Sequence, residues 1–161
     1  MACIHIQTDI HAPVERVFDL ARSIDAHVAS AGHSSERAIA GRTSGLLELD
    51  ESVTWEACHF GIRQHLTVKM VELHPPHRFE DHMISGPFAS MRHIHAFHPH
   101  QGGTRMQDEF HFTAPLGILG RCAARLFITR HLQRFLTTRN QELKTMAESD
   151  AWRAFLPERD A

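Results

Sequence analysis

The chain has 161 residues, 42% of them hydrophobic and 22% charged, which suits one folded domain with a real core. A formal charge of −2 without a clustered Lys/Arg run argues against nucleic acid as a partner. No stretch reaches the roughly 18 uninterrupted apolar residues of a membrane span, and Met1 to Asp9 lacks the basic start and apolar run of a secretory signal, so a cytoplasmic location is expected.

Cys3 to Asp9 alternates apolar and polar residues through Ile4 and Ile6 and predicts a strand. Ala12-Pro13-Val14-Glu15 opens a helix, with Pro in the first turn, Glu at the positive end of the dipole, and an apolar face of Val14, Val17, Phe18 and Ala21. A second short helix is expected around Ile24 to Ala31, ending at Gly32. From Ser35 to Thr113 the period changes to two, predicting strands at about 36–40, 50–60, 62–73, 77–84, 91–98 and 104–113. The breaks fall at Gly41 to Gly45, Gly61, Pro75-Pro76, Gly86-Pro87 and Gly102-Gly103. Pro115 leads into a long helix to about Glu148, whose stripe runs through Leu126, Ile128, Leu132, Phe135, Arg139, Leu143 and Met146. Arg121, Arg125, Arg130 and Arg134 occupy its other side. The tail from Ser149 to Ala161 is polar, with Trp152, Phe155 and Leu156 able to pack back on the domain.

A strand, two short helices, a meander of strands and one long helix make an α+β architecture, because the antiparallel sheet needs cover on its apolar face. On this order, and on "APVERVFDLARSID", "HPPHRFEDHMISGPF" and "GGTRMQDEFHFTAPLGILGR", the chain resembles the START/Bet v 1-like superfamily, which includes polyketide cyclase/dehydrase-like proteins. The resemblance covers nearly the whole chain. It implies a helix-grip fold, in which a curved antiparallel sheet of about six to seven strands wraps around a long C-terminal helix. It also implies a cavity for a lipid, polyketide or aromatic metabolite, and in some members cyclisation or dehydration.

Alternation along the strands assigns an inner wall. Val53, Trp55, Ala57 and His59 point inward, as do Leu66, Val68 and Met70 on the next strand. Phe79, Asp81 and Met83 share a face, followed by His93, His95 and Phe97, then Met106, Asp108, Phe110 and Phe112. With Leu126 from the helix, Trp55, His59, Leu66, Val68, Met70, Asp81, Met83, His93, His95, Phe97, Met106, Asp108 and Phe110 form the expected ligand-contacting set. A mainly apolar wall with a few oriented polar groups is the usual make-up of a small-molecule pocket, on a scale of several hundred Å³.

His93, His95, Asp81 and Asp108 are the candidates for chemistry. A buried carboxylate needs a partner, and imidazoles on adjacent strands are natural ones. Three roles stand open for them: a structural one, with the aspartates capping turns or pairing with Arg92 or Arg105; ligand orientation; or acid–base catalysis. His93-x-His95 also has a metal-site spacing, but fifteen histidines make that pattern common by chance, and no metal or other cofactor is expected. Cys3, Cys58 and Cys122 are odd in number and widely separated, which disfavours a disulfide framework or a cysteine zinc site. Binding of a hydrophobic small molecule is the leading expectation. A cyclase- or dehydratase-like enzyme comes second, and an interaction module using the arginine helix face third.

Overall fold

The computed structural model describes residues 1–31, 36–59, 61–114 and 127–156. Strand β1 (Ala2–Ile10) leads into α1 (Val14–Arg22) and α2 (Ile24–Ser30). Pro13 precedes the first turn of α1, where its missing N–H costs nothing, and Val17, Phe18, Leu20 and Ala21 are buried. The Ser23 hydroxyl accepts from the Ala26 N–H and starts α2 as its cap. Six strands follow: β2 (Arg37–Gly41), β3 (Ser52–His59), β4 (Ile62–His74), β5 (Arg78–Ser85), β6 (Ser90–His100) and β7 (Gly103–Thr113). Helix α3 (Thr129–Glu148) and a 3-10 turn (Asp150–Ala154) complete the described chain. The expected helix start at Pro115, with Arg121, Arg125 and Leu126, lies outside the described residues, as does the expected helix end at Gly32.

The strands form a single antiparallel sheet in the order β1-β7-β6-β5-β4-β3-β2, so β1 adds to the free edge of a six-strand meander. Its pairing with β7 runs unbroken from Ala2 opposite Phe112 to Ile10 opposite Thr104. Irregularities in β4, between Thr67 and Val68 and between Met70 and Glu72, bend the sheet where it curves. The tight β6–β7 hairpin uses Gln101 and Gly102 in left-handed backbone conformations. Gly103 is required for a different reason: a Cβ there would stand 2.2 Å from the Ile10 carbonyl oxygen, inside the β1–β7 seam.

Helix α3 packs against β1, α1 and α2 and covers the concave face. Leu132, Leu136, Leu143 and Ala147 are buried on it at helical spacing, and each fully buried leucine contributes about 1.5–3 kcal/mol. Its C-terminal end is tied down by Arg16 donating to the Ala147 carbonyl at 3.0 Å and by the His11 N–H donating to Glu148 at 2.7 Å. The architecture is the helix-grip arrangement, and no helix among the described residues is long and apolar enough to cross a membrane.

Candidate functional site

Between the concave face, α2 and α3 lies a cavity of about 130 Å³. Strands β3 and β4 line it with Val53, Trp55, Ala57, Leu66, Val68 and Met70, and β5 to β7 add Phe79, Asp81, Met91, His93, His95 and Phe110. Phe88 follows from the β5–β6 turn, and α3 presents Leu132, Phe135, Leu136 and Arg139. The volume is below the several hundred Å³ expected from the sequence. Stacked rings take up part of the cavity wall: Trp55 lies on His27 at 4.0 Å, and Phe79 on His95 at 4.2 Å.

One wall is polar, and sheet register builds it. His93 and His95 alternate with Ile94 on β6, so both face inward. Asp108 of β7 is directly opposite His95, and Asp81 of β5 is directly opposite His93. His95 Nδ1 stands 2.6 Å from Asp108 Oδ1, His93 Nε2 is 3.3 Å from the same oxygen, and His95 Nε2 is 3.7 Å from Asp81 Oδ2. The two contacts at Asp108 Oδ1 lack hydrogen-bond direction and act as close electrostatic approaches of ring nitrogen to carboxylate. Its other oxygen accepts from Asn140 Nδ2 of α3 at 2.5 Å. Asp108 and His95 are each 2% exposed.

The electrostatics follow from this geometry. Burial alone would raise the Asp108 carboxyl, but the charge of His95 and contact with both imidazoles hold it well below the ordinary carboxylate range. Burial likewise opposes charging of His95, and there Asp108 and Asp81 override it, raising its pKa. His93 goes the other way: burial, reinforced by the neighbouring His95, pushes it down to about 4. Asp81 is lowered although burial opposes this, because His95 approaches it. The wall therefore favours the charged form of His95, between two carboxylates, beside a neutral His93 whose ring centroid is 3.8 Å away. His27 is also kept neutral by burial, against the pull of Glu36 at 3.1 Å.

Of the residues named from sequence, Trp55, Leu66, Val68, Met70, Asp81, His93, His95 and Phe110 line the cavity. Asp108 does not; it sits behind the histidines and holds them. Phe97 and Met106, opposite each other across β6–β7, belong to the packed core because α1 covers that end of the sheet, with Phe18 set edge-on to Phe97 at 5.4 Å. Met83 is half-buried next to Leu66 near Gly86, off the cavity lining. The His59 side chain and Leu126 lie outside the described residues. The rim arginines are engaged elsewhere, Arg105 with Asp9 at 2.8 Å and Arg92 with Glu80 at 3.6 Å. Sequence reasoning missed Asn140, His27 and Glu36, and placed Arg139 in the stripe without a role. Two adjacent polar residues inside an apolar helical stripe were the available signal.

Asp81, His93 and His95 each offer a ligand atom, all within 4.8 Å of one another, so these three could gather around a metal ion. The Arg139 guanidinium, which lines the same cavity, opposes a divalent cation there.

Comparison with solved structures places the fold among known relatives. The protein TTHA0849 from Thermus thermophilus aligns with a TM-score of 0.75 at 19% identity over 91% of this chain and 97% of its own. A START superfamily protein from Mycobacterium smegmatis aligns at 0.69 with 10% identity over 91% and 97%. Ginseng major latex-like protein 151 from Panax ginseng aligns at 0.69 with 9% identity over 92% and 98%. These likenesses are of fold. The sequence matches none of the curated proteins. Its residues 1–148 match a family model as a whole, and the chain belongs to the polyketide cyclase / dehydrase and lipid transport family.

Proposed function

We propose that the protein binds and carries a compact, mainly apolar small molecule, of lipid, polyketide or aromatic type, between the sheet and α3. The observation that carries this reading is the cavity itself: aromatic and aliphatic over most of its wall, with its polar groups gathered on one side. Family membership supports the same reading. At about 130 Å³ the space suits a molecule of single-ring size better than a sterol or a long acyl chain. A cavity-filling substitution tests it. Ala57→Phe inserts a ring into the β3 wall, and apolar compounds that raise the melting temperature of the wild type should lose their effect on a folded variant. Equal stabilisation of both proteins would place binding elsewhere and end this reading.

The second reading, a cyclase- or dehydratase-like enzyme, is favoured by one observation: an imidazole on the cavity wall, oriented from behind by a carboxylate that raises its pKa. His95 can donate its proton to a departing hydroxyl, which leaves as water, while the proton lost from the neighbouring carbon passes to the Asp81 carboxylate on the same wall; Asp108, itself held by Asn140, orients the His95 ring. In a dehydration assay His95→Gln should abolish turnover while substrate binding persists. Full turnover by His95→Gln would remove this mechanism.

A further inference from the structure

Arg139 stands out among the groups that face the cavity. It sits in the middle of the apolar stripe of α3, with Leu136 one turn before it and Leu143 one turn after, and it is 6% exposed. The other buried charges beside the cavity have partners: Asp108 has His95 and Asn140, Asp81 faces His95, and Glu36 meets His27. Arg139 has none among the described residues. Its Nε is sealed from solvent and reaches no acceptor among them, and none of their carboxylates comes within ion-pair distance of its guanidinium.

A buried guanidinium left without acceptors is costly, because its hydration is lost and nothing replaces it. Five N–H donors in a planar fork fit a carboxylate through two parallel hydrogen bonds. The described residues supply no such carboxylate here; Asp81, which feels the charge of Arg139, is already shared with His95. The missing acceptor is therefore something that the occupant brings.

We infer that the cavity's ligand is a carboxylic acid, its carboxylate seated on Arg139 and its apolar body lying against Trp55, Phe88, Phe110 and Leu136. This rests on the cavity-binding reading above and names the chemical class of the ligand. The polar wall and the anchor then have separate roles. Arg139 fixes one end of the molecule from α3, and the His95 wall meets whatever polar group the molecule carries on its sheet-facing side.

Two probes of nearly equal shape test the inference: phenylacetate, and the neutral 2-phenylethanol. Calorimetry or NMR titration of the wild type should give phenylacetate at least a tenfold tighter Kd. Arg139→Met keeps the apolar stem and removes the fork; it should erase that preference while 2-phenylethanol still binds. Arg139→Lys should keep part of it. A second readout needs no ligand: removing a buried, unpartnered charge should raise the melting temperature of empty Arg139→Met, whereas an arginine satisfied within the protein would lower it. Equal affinity of the wild type for the two probes, a preference that survives in Arg139→Met, or a lowered melting temperature would each overturn the carboxylate assignment. Binding of 2-phenylethanol alone would overturn the assignment and leave the cavity reading standing. Failure of both probes to bind would overturn both.

Discussion

Asp108→Asn is the most informative single change in the polar wall. It preserves shape but removes the negative charge that faces His95 at 2.6 Å and His93 at 3.3 Å, leaving His95 only Asp81 at 3.7 Å. Breaking a buried pair from one side strands the other charge, at a cost of about 3–5 kcal/mol. The pH dependence carries a sign that simple loss of packing would not. The Asp108 pKa is depressed, so its contribution is present above the ordinary carboxylate value of about 4 and is lost as pH falls through the lower folded value. The His95 pKa is raised, so its contribution is present below about 6.5 and is lost as pH rises through the higher folded value. The gap between wild type and Asp108→Asn should therefore be widest near pH 5–6 and narrow on both sides, from about 4 downward and above neutrality. Urea unfolding followed by tryptophan fluorescence at several pH values measures it. A gap below about 1 kcal/mol, or one flat with pH, would refute the ion-pair account of this wall.

His93 should titrate near pH 4 in an NMR experiment, far from ordinary surface histidines. Because its folded pKa lies below its unfolded one, acidification from about 6.5 to 4 should cost the fold about 3 kcal/mol through this residue, and a His93→Gln variant should lack that slope; an ordinary titration near 6.5 would contradict the burial argument. Met70→Ala, at a side chain that is 1% exposed and lines the cavity, should lose about 2–5 kcal/mol and admit larger apolar ligands than the wild type. A loss under 1 kcal/mol by denaturation would show that the site collapses. Gly103→Ala should destabilise by about 1–3 kcal/mol by driving a methyl group into the Ile10 carbonyl, and its amide exchange should increase along β1 and the facing part of β7; uniform exchange would disprove the seam argument.

Strand alternation is the reason that much of this site is legible in the sequence. His93, His95 and Phe97 share a face by period two, and the turn glycines set the β6–β7 register that brings Asp108 opposite His95. Alternation gives the face but not what covers it. Phe97 and Met106 share the inner face with the histidines, yet α1 fills their end of the sheet, so they are core. Depth within the wall is likewise invisible in one strand: Asp108 faces inward but lies behind His93 and His95. Asn140 escapes such a reading because its role depends on where α3 crosses β7, a tertiary distance that helical periodicity does not contain. Arg139 is visible in the stripe, but its lack of a partner among the described residues is a property of the folded surroundings. Apolar spacing overestimates the cavity because ring stacking, as between Trp55 and His27, is not written in it.

Whether the space between the sheet and α3 holds a compact apolar molecule can be read from protein purified gently from its own host. Native mass spectrometry, followed by organic extraction, would identify what travels with it. One bound molecule per chain is expected, of about single-ring size and with a carboxyl group. A protein that is empty at every stage of purification, or that carries only long-chain lipid at its surface, would contradict that expectation.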